Sequence, residues 1–253
     1  MRKVLPSLLA FIIGCAIWEV VRVTASLPPI ILPSLGSVFI TVFTIHDLWY
    51  HAVLTSAEAA AGFLLGNFIA VALAIAIVRW RSLESAIVPY AVALKTTPVV
   101  AIAPILILWL GPGFASKVVA AATVCFFPTL INGVRGLRAI DQDYLDLFDS
   151  WKAGWWQSLL YLRLPSSLPY FFAAIKLSTS LALVGALIAE FVAADAGLGF
   201  LIVVFSRRLD TPELFATIAV CTALGVLWFL IIVLIERMLT KRFSLLSKAG
   251  ELF

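Results

Sequence analysis

Long apolar runs joined by short polar segments make up most of this chain. They fall at about 5–25, 57–78, 86–110, 117–134, 170–193 and 213–236, most of them near the ~20 residues a helix needs to cross a bilayer. The run at 86–110 is interrupted by Lys95-Thr96-Thr97-Pro98, a charge followed by a proline suited to the first turn of a helix. The pattern therefore predicts a segment at 83–94 lying along the membrane surface and a separate span at 97–111. A helix from Pro98 to Leu110 rises only ~20 Å, which suits the inside of a bundle better than a place facing lipid throughout. The expectation is an all-α integral membrane protein, a six-span bundle forming one domain over 1–253, with spans at about 5–25, 57–78, 97–111, 117–134, 170–193 and 213–236.

Two stripes of small residues mark where helices approach closely. Gly62, Gly66, Ala70 and Ala74 recur every four residues, and so do Ser178, Ala182 and Ala186. Such smooth faces bring helix backbones together in lipid, and packing within one subunit is favoured here over a subunit interface. The next member of the second stripe is Glu190, so its carboxylate points to protein. Intramembrane charges are costly and mark candidate sites. Glu190 is read as a gating or structural residue near the outer end of its helix, able to pair with the Asp195-Ala-Gly-Leu-Gly-Phe turn that contains Gly197 and Gly199. Lys176 is expected to snorkel toward the nearer headgroups. Asn67, Pro128 and Asn132 are candidate path-lining residues, with an interhelical hydrogen bond as the competing role for the asparagines.

Composition sharpens this picture. The chain is 63% hydrophobic and 13% charged, with a mean hydropathy of +1.10, which excludes a soluble domain. The net charge of +4 sits in short clusters beside the spans, so it reports topology and not a nucleic-acid partner. Arg2, Lys3, Arg79, Arg81, Lys95, Arg135, Arg138, Lys152, Arg163, Arg237, Lys241, Arg242 and Lys248 fall on one side; Arg22, Lys117, Arg207 and Arg208 fall on the other. The positive-inside rule then makes both termini and the 135–169 segment cytoplasmic. Met1-Arg2-Lys3 before an apolar run has the form of a signal peptide, but Glu19 and Arg22 argue for an uncleaved first span. Cys15, Cys125 and Cys221 lie in apolar runs without metal-binding neighbours and read as packing residues.

The polar segment 141–165 breaks the pattern most. Asp141, Asp143, Asp146 and Asp149 load the first helix with negative charge near its N-terminus, as its dipole favours. Leu145, Phe148 and Trp151 form one apolar face on a helix outside the membrane. That face predicts either a partner groove or packing back on 83–94. Elsewhere the candidate chemistry is thin. Gly111-Pro-Gly-Phe-Ala-Ser116-Lys117 lacks the second glycine and the Ser/Thr of a phosphate-binding loop and reads as a tight turn. His46 and His51 lack the further ligands of a metal site and read as a surface pair. No residues are spaced for covalent catalysis.

The loop's spacing resembles the signature of membrane subunits of binding-protein-dependent ABC importers, in which Glu-Ala-Ala is followed six residues later by Gly and further on by Ile-x-Leu-Pro. Asp146, Leu147 and Phe148 take the first places, Lys152 takes the Gly place, and Leu162, Leu164 and Pro165 complete the pattern. LPSLGSVF at 32–39, KTTPVVAIAPILILWLGPGFASK at 95–117, FFPTLINGVRGL at 126–137 and AEFVAADAGLGFLI at 189–202 resemble the nitrate/sulfonate/taurine/bicarbonate and thiamine-precursor/riboflavin branch of that family. The resemblance implies a type I permease fold with a cytoplasmic coupling-helix loop, in which Leu145, Asp146, Leu147, Phe148, Trp151, Lys152, Ala153, Gly154, Leu164 and Pro165 meet the ATPase. It also implies an outer gate formed around Glu190, Gly197 and Gly199.

The implied protein is a permease subunit in a bacterial inner membrane, not an enzyme and without a cofactor of its own. ATP and Mg would be bound by two copies of a partner ATPase. The other implied partners are a second, identical permease subunit, a soluble substrate-binding protein and the lipid bilayer. Closure of the ATPase pair would draw the loops together and tilt the bundles, and hydrolysis would release substrate inward. The wording KTTPVVAIAP and YLDLF is closer to the thiamine-precursor/riboflavin branch; a permease for an oxyanion such as nitrate, sulfonate, taurine or bicarbonate is the alternative. A self-contained secondary transporter is the rival class, and it calls for an internal repeat that the sequence does not show. A left-handed turn costs a lysine ~1 kcal/mol or more, so the bend has two candidate positions, Lys152 at the family's Gly place and Gly154 two residues later.

Overall fold

The computed structural model describes residues 5–250, with the side chains of Pro6 and of 8–239. Arg2 and Lys3 in the topology argument lie outside the described residues, as do the side chains of Lys241, Arg242 and Lys248. The chain runs α1 (Leu5–Thr24), α2 (Leu35–Thr44), α3 (Leu48–Arg79), α4 (Arg81–Thr96), α5 (Val99–Leu110), α6 (Phe114–Arg138), α7 (Gln142–Ser150), α8 (Trp155–Ser158), a π turn (Leu159–Arg163), α9 (Leu164–Val192), α10 (Leu198–Arg208) and α11 (Thr211–Gly250).

By length and composition, Leu48–Arg79, Phe114–Arg138, Trp155–Val192 and Thr211–Leu239 suffice to cross a membrane, and α4 with α5 makes one further, broken segment bent by 102°. The bend follows from Pro98, which holds Thr97 extended at φ −76° and ψ 121°. Helix α1, the expected first span, is 20 residues long.

The centre of the bundle is α3, α6 and α9. Both small-residue stripes face inward there: Ala70 and Ala74 are wholly buried, as are Ser178 and Ala186. A Cβ added to Gly66 would stand 2.5 Å from the Ala122 carbonyl, and one at Gly185 2.8 Å from Ala121 Cα. Helix α6 is thus wedged between α3 and α9 at backbone distance, and the α3 stripe serves packing within the subunit. Gly66→Val is expected to separate α3 from α6 and to lower the detergent melting temperature, by the ~1–3 kcal/mol typical of overpacking or more. Gly36→Val, where nothing lies within 4 Å, is the control and should melt as the unaltered chain does.

Two boundaries depart from expectation. Helix α3 starts at Leu48, nine residues ahead of the apolar run, so His51 stands in its first turn and not in a surface loop. Pro165 and Pro169 do not stop the helix: the chain is helical from Trp155 to Val192. The π turn explains this. The Leu164 amide bonds to the Leu159 carbonyl five residues back, which shifts the ladder just before Pro165, a residue that has no N–H to donate.

Candidate functional site

One end of the bundle holds a buried polar lock. Three successive amides at the start of α10 are each caught by a side chain from another helix. Gly197 N–H donates to His51 Nδ1 at 2.8 Å, Leu198 N–H to Thr55 Oγ1 at 2.8 Å, and Gly199 N–H to Glu190 Oε2. The Thr55 hydroxyl in turn donates a hydrogen bond to Glu190 Oε1 at 2.7 Å. These amides are the orphan donors of a helix N-terminus, and α3 and α9 satisfy them together. His51 and Thr55 are one helical turn apart, which presents both to the same strip of α10. The glycines are dictated by the carboxyl group. Gly197 has φ +113° and a Cβ there would run into the Glu190 carboxyl, while one at Gly199 would stand 2.7 Å from Glu190 Cβ.

Behind the lock lie two more charges. Glu58 is 2% exposed, Glu190 1% and Lys117 3%. Glu58 faces Glu190 directly, and the Lys117 ammonium acts on both. Lys117 also donates to the Pro112 carbonyl, and Glu58 Oε2 is buried without a hydrogen-bond partner among the described residues. Helices α3, α6, α9 and α10 are therefore joined at one point by charge and hydrogen bonds.

The opposite end of α9 carries the candidate coupling segment. Among the described residues helix α7 makes no substantial contact with any other helix, so it does not pack back on α4. It ends in a complete Schellman motif. The Lys152 amide bonds to the Asp149 carbonyl at 2.9 Å and the Ala153 amide to the Phe148 carbonyl at 3.0 Å. Lys152 itself takes the left-handed turn, at φ 55°, whereas Gly154 is extended at φ −69° and ψ 163°. Of the two candidate positions the bend falls at Lys152, where the two closing bonds fix the left-handed residue two places before Gly154. Lys152→Gly should relieve ~1 kcal/mol of backbone strain and retain full activity, with proteolysis at 150–154 as the readout.

The outward face of α7 also differs. Leu145 and Phe148 are half-buried, while Tyr144, Leu147 and Trp151 are 56%, 42% and 69% exposed. Their spacing of three and four residues makes one apolar stripe, rotated from the Leu145–Phe148–Trp151 face expected from sequence. Asp146 is exposed and accepts from Gln142 at 2.8 Å. The segment after α7 is anchored firmly. Leu159 and Leu162 are buried, Leu159 in the cluster of Leu130, Leu137 and Phe171. Arg163 Nη1 donates to the Leu137 carbonyl at 3.1 Å. Leu164 and Pro165 open α9, which runs without a break from this anchor to Glu190.

Residues 62–245 match the family described as binding-protein-dependent transport system inner membrane component. The chain belongs to this family. It is 35% identical, over 88% of its length and 85% of the relative's, to the riboflavin transport system permease protein RibX of Chloroflexus aurantiacus. It is 31% identical, over 94% of its length and 95% of the relative's, to the formylaminopyrimidine transport permease protein ThiX of Halalkalibacterium halodurans. A putative aliphatic sulfonates transport permease protein, SsuC of Bacillus subtilis, is 29% identical over 89% of this chain and 83% of its own. The protein is accordingly a multi-pass membrane permease subunit of an ABC importer, a transport component and not an enzyme.

Within the permease the remaining candidates divide. Asn67 makes an interhelical hydrogen bond: its Nδ2 donates to Phe63 O at 2.7 Å and its Oδ1 accepts from Thr129, which also meets Ser178 at 3.1 Å. It ties α3 to α6 and α9. Asn132 bonds back to the Pro128 carbonyl at 2.8 Å. Pro128 does line a cleft of about 190 Å³, with Lys95, Thr97, Phe127 and Leu181, against the α4–α5 bend. Lys176 does not snorkel. It pairs with Glu236 of α11 at 2.9 Å, an acidic side chain that takes up the ammonium within the bundle. The histidines do not come together: His46 pairs with Asp47 at 2.6 Å, and His51 holds the lock. On α4, Arg138 grips Glu84 through two bonds of 2.7 and 2.9 Å, which holds the Glu84 carboxyl below the usual carboxylate range.

Sequence reasoning missed Glu58, Lys117, Thr55 and His51. Glu58 was detectable as a lone charge at the head of an apolar run, the signal that singled out Glu190. Lys117 was misplaced because it begins a span and counted as an exposed outer charge.

Proposed function

We propose that this permease couples ATP hydrolysis by a separate subunit to opening of the α10 turn, with α9 as the connecting rod. The carrying observation is that a single uninterrupted helix joins the α7 anchor to the Glu190 lock. At 29 residues and 1.5 Å per residue, α9 spans ~44 Å, so movement of its α7 end shifts the carboxyl that holds Gly199. In this reading the α7 of each permease subunit seats in one of two copies of a partner ATPase that binds ATP and Mg, with Tyr144, Leu147, Trp151 and Asp146 at the contact. Six spans, α1 among them, leave both termini and α7 in the cytoplasm of a bacterial cell, as the positive-inside count requires.

A second, identical permease subunit covers α5. That helix has only 12 residues, and Leu108 and Trp109 are 81% and 75% exposed; it is too short to face lipid on its own. Substrate arrives from a soluble binding protein on the outer side and passes the α10 turn. Its class is a small heteroaromatic nutrient of the thiamine-precursor or riboflavin kind, as supported by the names of two relatives alike over nearly the whole chain. Vesicles holding the permease and its ATPase should take up such a compound only with ATP and binding protein. The permease alone should hydrolyse no ATP. Preferential uptake of a sulfonate would move the substrate to the oxyanion class, and uptake without the ATPase would overturn the reading.

A further inference from the structure

At the α7 end of the bundle, a cleft of about 410 Å³ opens between the last turns of α3 and the start of α8, lined by Ala72, Ile75, Ala76, Arg79, Trp80, Trp155 and Trp156. We propose that it is a binding site for an anionic phospholipid, its phosphate on Arg79 and an acyl chain along the Ala72–Ile75–Ala76 strip of α3. Three observations carry this.

The first is unbalanced charge. The Arg79 guanidinium lies 5.9 Å from the Trp80 ring and 5.3 Å from the Trp155 ring, and Arg163 lies 5.2 Å from that same Trp155 ring. Neither arginine has a carboxylate within ion-pair distance among the described residues, although Arg138 and Lys176 at this end each have one. Arg163 spends Nη1 on Leu137, and its Nε is buried without a partner. Arg79 donates to no acceptor among the described residues. Two cations therefore share one ring with only Asp149, beyond ion-pair distance, acting on Arg163, and an anion placed against Arg79 gains without displacing an ion-pair partner.

The second is the wall. Ala72, Ile75, Ala76 and Arg79 lie at i, i+3, i+4 and i+7 of α3, one continuous strip. It rises from the charged head into the hydrocarbon depth of the span. A free phosphate or nucleotide has no use for such a strip; a lipid tail does. The third is the position. Arg79-Trp80-Arg81 closes the α3 span, and Trp80 and Trp156 are 56% and 68% exposed, the arrangement of an interfacial belt at headgroup level. The site goes beyond the transport reading and does not depend on which leaflet it faces.

The full-length permease is to be purified from membranes and exchanged into nanodiscs of phosphatidylcholine with a minor fraction of phosphatidylglycerol. Lipid retained after delipidation is then quantified. The unaltered protein should retain phosphatidylglycerol over phosphatidylcholine by about fivefold, the effect of one basic residue at a membrane surface. Arg79→Gln should bring the ratio to parity, while Arg81→Gln, outside the cleft, should leave it high. Trp156→Ala, which opens the wall and keeps the charge, should lower retention of both lipids and serves if Arg79→Gln does not fold. Competition by inorganic phosphate or ATP at equal concentration would make this a soluble-anion site. Unchanged lipid ratios in Arg79→Gln with loss of ATPase co-purification would make it a protein-docking surface. Either result overturns the proposal.

Discussion

Alanine at both Leu147 and Trp151 is expected to detach the permease from its ATPase while leaving the membrane bundle intact. These side chains are 42% and 69% exposed, on the outward face of a helix that makes no substantial contact with another helix among the described residues. Burying what remains exposed of the two in a partner groove contributes about 2–4 kcal/mol, so their removal weakens assembly roughly thirtyfold or more. Leu145→Ala and Phe148→Ala act differently. Those residues are half-buried against the chain itself, and their loss should loosen α7 and cost co-purification less. Asp146→Lys reverses an exposed charge at the contact and should slow association in a salt-dependent way. The measurement is ATPase recovered with tagged permease from membranes containing equal amounts of each variant. Equal recovery from Leu147→Ala/Trp151→Ala would show that this stripe is not the contact.

The second large effect is expected at Glu190. Glu190→Ala leaves the Thr55 hydroxyl and the Gly199 amide without their acceptor. An orphaned buried polar group costs ~1–3 kcal/mol, so two of them cost about 2–6 kcal/mol. Much of that falls on the α10 turn, which has no other tie to α9 of this kind. Glu190→Gln keeps the volume and one carbonyl acceptor and should fall between. The readout is a cysteine at Leu198, a position with no exposure in the native chain, in a background without Cys15, Cys125 and Cys221. Its thiol should stay unlabelled beside Glu190 and label readily in Glu190→Ala, with transport lost or leaky. If it stays protected in the alanine variant, the carboxyl does not hold the turn.

What the sequence made legible, and what it did not, follows the physics of each element. Glu190 was found because the Ser178–Ala182–Ala186 stripe fixes its azimuth on α9, and helical periodicity is rigid over such a distance. The break at Pro98 was legible because proline acts locally on the residue before it. The rotation of α7 was not, since it depends on where Leu159 and Leu162 anchor the following turn, and those are contacts between distant segments. The left-handed Lys152 was set against intrinsic preference by two backbone hydrogen bonds, which no local propensity scale sums. Glu58, Lys117 and Thr55 stand on different helices, and only the tertiary fold brings them to Glu190. The continuous passage through Pro165 rested on a π turn that leaves no mark in the residue pattern.

In the proposed mechanism ATP hydrolysis by another subunit enters this chain at α7. A cysteine in place of Tyr144, carrying a short thiol-linked photocrosslinker, tests it in native membranes that contain the ATPase. The expected result is a covalent adduct between the permease and the ATPase subunit, with a yield that changes when ATP is added. An adduct with α4 of the permease itself, or no adduct while ATP-driven uptake continues at the normal rate, would contradict it.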